Sequence, residues 1–350
     1  MYTETFDSQS IAILRQQISE AQKIVLLSHM NADGDACGSL LGCTLMLDHA
    51  AKRAQWVVPI LPNGCPKTFG WLPKSERILS GENERQQCEM LINEADLIVC
   101  LDLNTPTRVD FLQDAFYRSK AFKVLVDHHN NPAYEQFDLV FSDPPISSTC
   151  ELALWLSLEL WGQEYMDSEV ARCLYTGLRT DTGGFAFSCS QPSCFNAAAL
   201  LVSHDIHPAE IHNRIVNTFT FNRMEFYGFA LSQRLEVYPE QRAALFSFSL
   251  ADQQRYGVTG EDMEGLVNYT LMMQEIEVGA LVREEPNRIK VSLRAKGDID
   301  VNRMAQQLGG GGHTKAAGAT CMETLDDTLA SVKRLLGVAG HEPLKTLMTA

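Results

Sequence analysis

Several features that would assign the chain to a common class are missing from its sequence. No stretch approaches the roughly 18 consecutive apolar residues that a membrane helix needs. Residues 1–9 are polar and acidic, without the basic start and apolar centre of a secretory signal. The sequence also lacks internal repeats and low-complexity tracts. These absences predict a cytoplasmic protein, and a length of 350 residues favours two domains over one.

The cysteines lack the spacing of a metal or redox motif. None of the ten forms a CxxC pair, which argues against a zinc ribbon or a thioredoxin-like site. Most lie inside apolar runs, as Cys43, Cys100 and Cys173 do, where cysteine usually acts as a small buried hydrophobe. We therefore expect reduced, structural cysteines, as in a cytosolic chain.

Positive charge is also scarce. The chain has 29 Lys and Arg against 44 Asp and Glu, a formal net charge of -15. No run of Lys and Arg marks a track for long nucleic acid, whose binding depends on neutralised phosphates. Much of an acidic surface would repel a long polyanion. The composition favours small anionic ligands and predicts neither long nucleic acid nor a membrane as partner.

Short apolar runs alternate with helical patterns in the first part of the chain. The runs have the β-branched composition of buried parallel strands, and they are KIVLLS, DLIVCLD at 96–102 and KVLVDHH at 123–129. Helical periodicity is present near 10–21, in LLGCTLML, and at 150–161 and 168–179. Alternating strands and helices predict an α/β domain with a parallel sheet.

Beyond about residue 190 the order of elements changes. The expected helices are 192–203, 207–236 and 325–336, the second of them with an interruption, and the expected strands are 244–250, 275–282 and 288–295. This pattern predicts a smaller C-terminal α/β domain. We place the first domain at 1–204, a helical connection at 205–225 and the second domain at 226–350.

Acidic residues and histidines follow the predicted strands. In an open parallel sheet, ligands bind at the carboxyl ends of the strands. Carboxylates gathered at one edge repel each other unless cations lie between them, and a mixture with imidazole favours Mn²⁺, Fe²⁺ or Zn²⁺ over Mg²⁺. A single Asp in such a place is more often a helix cap or a turn residue, but the whole set argues for a metal site. The residues of this set that follow predicted strands are His29, Asp33, Asp35, Asp102, Asp127, His128 and His129. Asp181, the last member, sits in a Gly-rich turn after a predicted helix.

These segments resemble the motifs of a known family. HMNADGDACGS, LDLN, DHH and RTDTGGF are similar, in this order, to the four motifs of DHH phosphoesterases. GGGGHTKAAG at 309–318, preceded by SLRA at 292–295, resembles the signature of the associated C-terminal domain. The compact spacing is most similar to the short bacterial branch that contains the nanoRNases. We expect no extra nucleic-acid-binding domain of the kind that RecJ-like exonucleases carry.

The resemblance implies two divalent metal ions, with Mn²⁺ as the expected metal. The first ion would be held by His29, Asp33 and Asp102. The second would be held by Asp35, Asp102, His128 and Asp181, so that Asp102 is the bridge. A water between two such ions about 3.5–4 Å apart becomes a hydroxide nucleophile near neutral pH.

The resemblance also implies roles for residues beside the metal ions. Asp127 would orient a ligating histidine, and His129 would lie next to the substrate and donate to a phosphate oxygen or the leaving group. The substrate would lie in a cleft between the domains, where the backbone N–H groups of a glycine run can hold an anion. The expected substrate contacts are Arg108, Arg294, Gly310, Gly311, Gly312 and His313.

Structural interpretations of some residues stay open. The glycine run can form a flexible hairpin, and Arg108 can be an ordinary surface residue. Residues 147–149 have the composition of a helix cap. His204, His207 and His212 lie in helical surroundings away from the motifs, and we expect them to be surface or packing residues.

The leading functional hypothesis is a phosphodiesterase for oligonucleotides of a few residues, with phosphatase activity on 3'-phosphorylated adenosine nucleotides. An inorganic pyrophosphatase or exopolyphosphatase is an alternative, because the same metal motif serves phosphoanhydrides. Hydrolysis of linear dinucleotides follows the same active-site logic. A non-enzymatic nucleotide sensor is disfavoured, since every expected metal ligand is present. A homodimer is compatible with each of these functions.

Overall fold

Two sheets, each of six strands, organise the residues that the structure, a computed structural model, describes: 6–312 and 314–344. One sheet lies in the unit Met1–Asn217 and the other in the unit Thr218–Ala350. The predicted α/β class, with a parallel N-terminal sheet and a second, smaller domain, is confirmed. In the described ranges, no helix is both long and apolar enough to cross a membrane.

The strands of the N-terminal sheet are all parallel. They are β1 (Lys23–Leu27), β2 (Trp56–Leu61), β3 (Leu79–Ser80), β4 (Leu97–Leu101), β5 (Phe122–Asp127) and β6 (Leu139–Ser142). Their order is β3-β2-β1-β4-β5-β6, so the direction of winding reverses between β1 and β4. Every residue of β4 is buried, as expected for a strand covered on both faces. At such a reversal the loops after the two strands diverge and leave room for a ligand.

The helices of this unit place two acidic residues together. They are α1 (Ser8–Glu20), α2 (Gly34–Ala50), α3 (Arg85–Glu94), α4 (Gln113–Arg118), α5 (Thr149–Trp161), α6 (Ser168–Asp181), α7 (Pro192–Val202) and α8 (Pro208–Val216). Helices α2 and α6 pack closely through glycines. A Cβ on Gly38 would lie 2.5 Å from the backbone oxygen of Cys173, and a Cβ on Gly177 would lie 2.8 Å from Oδ1 of Asp35. This packing brings Asp35, at the start of α2, close to Asp181, at the end of α6.

The C-terminal unit contains a mixed sheet. Its strands are β7 (Leu235–Tyr238), β8 (Ala243–Phe248), β9 (Val278–Glu285), β10 (Arg288–Ala295), β11 (Gly311–Gly312) and β12 (Ala316–Cys321). Their order is β11-β12-β10-β9-β8-β7, and only the described pair β8 and β9 is parallel. The helices are α9 (Phe221–Phe229), α10 (Leu250–Tyr256), α11 (Val301–Gln307) and α12 (Leu325–Leu335). One core joins Val332 of α12 to Val291 of the sheet, and another joins Phe226 of α9 to Phe246.

Some segments differ from the sequence predictions, and others, among them β6 and α3, had no predicted counterpart. The interruption expected in the helix at 207–236 is present between α8 and α9, but the last two residues of that range belong to β7. No strand was predicted at β2, because Pro59 interrupts its apolar run. Only Ile60 and Leu61 of β2 pair with β3, so Pro59 removes no hydrogen bond to β3. The residues Ala316–Cys321, which begin within the glycine-rich motif and for which no strand was predicted, form β12.

Candidate metal centre

Three neighbouring strands of the N-terminal sheet end at one edge with a histidine or a carboxylate. His29 follows β1, Asp102 follows β4, and Asp127 is the last residue of β5. Asp102 has a φ of 60°, a left-handed conformation that Asp tolerates better than most residues. Its backbone N–H still donates to the oxygen of Val126 at 3.1 Å, so the chain turns away directly after this last sheet contact.

The first group of candidate metal ligands is His29, Asp33 and Asp102, whose ligand atoms lie within 4.8 Å of one another. Nε2 of His29 lies 3.4 Å from Oδ2 of Asp102, and Nδ1 lies 2.9 Å from the backbone oxygen of Met30. The second contact suits a proton on Nδ1 and leaves Nε2 as the ligand atom. Asp33 uses Oδ1 to cap α2 at 3.0 Å, which leaves Oδ2 for an ion.

The second group is Asp35, His128 and Asp181, and it also closes within 4.8 Å. Nε2 of His128 lies 3.8 Å from Asp35 and 3.6 Å from Asp181. The same nitrogen lies 3.6 Å from Oδ1 of Asp102, whose other oxygen faces His29. Asp102 therefore presents one carboxylate oxygen to each group. Asp102, His128 and His129 form a third group whose ligand atoms lie within 4.8 Å of one another.

The start of α5 holds two of these carboxylates in place. Oγ1 of Thr149 donates to Oδ1 of Asp102 at 2.9 Å, and its backbone N–H donates to Oδ2 of Asp35 at 2.7 Å. The N–H of Cys150 donates to the other oxygen of Asp35 at 2.9 Å. Ser148 caps this helix, as predicted. The sequence did not predict the contacts of Thr149 with Asp102 and Asp35. Thr149 had no sequence signal beyond its place in a capping segment.

Burial and mutual repulsion perturb the carboxylates of the centre. Burial raises the pKa of Asp35 well above its usual range, and the negative charge of Asp102 raises it further. Burial also raises the pKa of Asp181 to about 6. For Asp102, burial acts in the same direction, but the hydrogen bond and charge of His29 outweigh it and hold the pKa below its usual range. The ionised carboxylates thus repel one another at this edge, and mixed carboxylate and imidazole donors suit borderline divalent cations.

Asp127, His129 and Arg108 form a chain of contacts beside these groups. Oδ1 of Asp127 lies 2.7 Å from Nδ1 of His129, and Nη1 of Arg108 lies 3.1 Å from Nε2 of the same ring. Because Arg has no acceptor, Arg108 donates to Nε2, which places the imidazole proton on Nδ1. Asp127 therefore contacts His129, and not a histidine of the two expected ligand sets. Donation from His129 to a substrate would require the Arg108 contact to break. Arg108 itself lies at the site.

Two family models divide the chain. A model of the N-terminal domain of the DHH family matches residues 23–178, and a model of the DHHA1 domain matches residues 244–337. The chain belongs to the DHH family. The resemblance expected from the sequence motifs is confirmed, and the chain is a metal-dependent phosphoesterase, a hydrolase of phosphate ester bonds.

Named relatives extend over nearly the whole chain. A protein from Thermus thermophilus is 29% identical over 324 residues, 91% of either chain. One from Bacillus subtilis is 27% identical and covers 92% of this chain and 97% of its own. Both are called bifunctional oligoribonuclease and PAP phosphatase NrnA. A solved exopolyphosphatase-related protein from Bacteroides fragilis is 32% identical, with a TM-score of 0.92 over 96% of this chain and 97% of that one.

Three of the expected substrate contacts of the DHHA1 domain, Arg294, Gly311 and Gly312, lie in its sheet, and Gly310 directly precedes β11. Arg294 is half-buried on β10 and donates to the backbone oxygen of Leu293 at 3.0 Å. A Cβ on Gly310 would lie 2.1 Å from the backbone oxygen of Gly318. Gly311 and Gly312 pair with β12. Glycine at 310 is therefore required by packing, whatever it binds. His313 lies outside the described residues.

One histidine expected to lie away from the motifs does not. Nδ1 of His212, on α8, accepts a hydrogen bond from the guanidinium of Arg179, which belongs to the RTDTGGF motif. The two residues are far apart in sequence, and only the packing of α8 beside α6 brings them together. His204 and His207 belong to none of the ligand groups found among the described residues.

Proposed function

We propose that the chain hydrolyses very short oligonucleotides and 3'-phosphoadenosine 5'-phosphate, with two Mn²⁺ ions at the centre. The observation that carries this proposal is the pair of ligand groups that meet at the two oxygens of Asp102. The names of the two relatives that match almost the entire chain support the choice of substrates.

The metal assignment follows from the donors. We assign one ion to His29, Asp33 and Asp102 and the other to Asp35, Asp102, His128 and Asp181. When bound, these ions would neutralise the phosphate and activate water for attack on phosphorus. Imidazole in both sets favours Mn²⁺ over Mg²⁺, which prefers oxygen ligands and retained water.

Arg108 is the donor that we assign to the substrate phosphate on the N-terminal side. A guanidinium binds phosphate through paired N–H groups, and it already lies beside the centre, 3.1 Å from His129. His129 accepts from Arg108 and donates to Asp127, so the pair positions the guanidinium. This assignment gives His129 a positioning role in addition to the expected contact with the reacting phosphate.

We assign contacts with the remainder of the substrate to the DHHA1 domain. Arg294 offers guanidinium donors, and we retain Gly310, Gly311, Gly312 and His313 as neighbours of the substrate phosphate or base. The net charge of -15 supports a short substrate, because a long strand would extend over acidic protein. We keep 1–204 and 226–350 as the two functional domains, with 205–225 as the connection.

A second candidate is hydrolysis of polyphosphate or pyrophosphate. The relative with 32% identity is described as exopolyphosphatase-related, and a two-metal site can serve a phosphoanhydride as well as an ester. Such a substrate needs no contact for a base or a ribose.

A substrate panel at matched Mn²⁺ concentration tests the proposal. It should contain oligoribonucleotides of two to five residues, a twenty-residue strand, 3'-phosphoadenosine 5'-phosphate, pyrophosphate and polyphosphate. We expect the highest kcat/KM with the shortest oligonucleotides, and a smaller length dependence at high salt, where repulsion is screened. Faster hydrolysis of the twenty-residue strand would contradict the proposal. Faster hydrolysis of polyphosphate would select the second candidate.

A further inference from the structure

A polar pocket lies on the N-terminal unit between α6, α8 and the segment that follows β2. It contains about 310 Å³ of space, part of it open to solvent, and is lined by Trp71, Arg172, His207, Glu210, Ile211 and Arg214. None of these residues belongs to the metal centre described above. The pocket is therefore a separate feature of the unit.

The pocket carries guanidinium groups that acidic residues do not fully neutralise. Arg172 is half-buried, and within the described ranges it has no carboxylate within 4.0 Å and no side-chain hydrogen bond. Arg214 lies over the ring of Trp71 at 5.6 Å and pairs with Glu210 at 3.4 Å. The ring contact restricts the orientation of the Arg214 side chain. With two guanidinium groups and one carboxylate, the pocket has an excess of positive charge in a strongly acidic protein.

A second arginine of α6 also contacts α8. Arg179 lies seven residues after Arg172, so the two project from the same face of α6. Its guanidinium donates to His212 of α8 and has no carboxylate partner in the described part of the chain. A half-buried guanidinium that lacks an acidic partner is a strong site for a bidentate anion.

We propose that this pocket binds the phosphate group of a nucleotide, with Arg172 as its main donor and Arg214 as the second. The carboxylate of Glu210 competes with that phosphate for Arg214. The phosphate can come from a separate mononucleotide or from the far end of an oligonucleotide. Binding here does not depend on hydrolysis at the metal centre, so the proposal can fail or succeed independently of the proposed function.

The test is binding of AMP to the full-length protein in the presence of a chelator, measured by calorimetry and by tryptophan fluorescence. Because Trp71 lines the pocket, its emission should change on binding, and Trp71→Phe should remove much of that change. Arg172→Ala should weaken AMP by about tenfold or more, the loss expected for a charge-assisted contact. Glu210→Gln should tighten it. Arg53→Ala, at an exposed arginine outside the pocket, is the matched control and should leave the affinity unchanged.

Inorganic phosphate and adenosine complete the design. Phosphate should compete with AMP, and adenosine should bind far more weakly. Equal affinity of AMP for wild type and Arg172→Ala, or equal affinity of AMP and adenosine for the wild type, would overturn the proposal. The KM of the Arg172→Ala variant distinguishes the two sources of the phosphate, a separate mononucleotide and the far end of an oligonucleotide. A KM that rises for pentanucleotides but not for dinucleotides identifies the far end of the substrate as the source of the phosphate. A KM that is unchanged for both substrates identifies a separate nucleotide.

Discussion

Nδ1 of His129 lies 2.7 Å from Oδ1 of Asp127, and the backbone N–H of His129 donates to Oδ2 of the same carboxylate at 3.0 Å. One oxygen of the buried Asp127 carboxylate thus holds the ring of His129, and the other oxygen holds its backbone. The arrangement fixes the imidazole proton on Nδ1 and turns Nε2 toward Arg108.

Asp127→Ala should therefore lower kcat by about 10–100-fold while both metal ions remain bound, because the contact is with His129 and not with the proposed ligands. Hydrolysis of a dinucleotide and metal content per chain are the two measurements. Asp114→Ala, at an exposed carboxylate, is the control and should leave both unchanged. Loss of bound metal from Asp127→Ala would show that Asp127 supports the ligands themselves.

Thr149 gives a second prediction, about metal affinity. Thr149→Val removes the hydroxyl that donates to Asp102 at 2.9 Å and keeps the shape of the side chain. We expect the Mn²⁺ concentration for half-maximal activity to rise by about 10–100-fold, with kcat restored at saturating Mn²⁺. Thr149→Ser should behave like wild type.

Thr44→Val is the matched control for this substitution. Its buried hydroxyl donates to a backbone oxygen within α2, at 2.7 Å from Leu40, and has no contact with the centre. An equal change in Mn²⁺ dependence for both valine variants would mean that the effect comes from general destabilisation.

The raised pKa values predict how the metal-free protein responds to pH. Asp181 has a folded-state pKa of about 6, above its usual value, and Asp35 is shifted in the same direction. Stability from such groups is complete below the unfolded pKa and is lost as pH rises through the folded pKa. With chelator present, Tm should fall as pH rises from about 4.5 to about 7.

The Asp181→Asn variant isolates this contribution. It removes one titrating carboxylate, so its Tm in chelator should fall less over the same pH range. Saturating Mn²⁺ should remove most of the fall in wild type, because the ions stabilise the ionised carboxylates. The same slope in wild type and Asp181→Asn would contradict this account of the charges.

The sequence predicts the centre well because parallel topology determines where these residues lie. Apolar runs such as β4 indicate buried strands, and residues that directly follow parallel strands meet at one edge. His29 and Asp102 come together for this reason. The motif resemblance was needed to assign ions to them.

Contacts across large sequence distances could not be predicted in this way. The bond from Thr149 to Asp102 depends on how α5 lies on the sheet edge, and the bond from Arg108 to His129 depends on the path of the loop after β4. Likewise, the sequence motif indicates Gly310 as an anion-binding residue but does not show its close contact with Gly318, which depends on packing against β12.

The most direct test of the account is metal content per chain together with dinucleotide hydrolysis, for wild type and Asp102→Ala dialysed against the same Mn²⁺. Wild type should bind two ions and be active, lose activity with chelator, and recover less with Mg²⁺ than with Mn²⁺. Asp102→Ala should remain folded, because it relieves repulsion among crowded carboxylates, and should lose bound Mn²⁺ and nearly all activity. An Asp102→Ala variant that keeps two ions and full activity would contradict the assignment of Asp102 as the shared ligand.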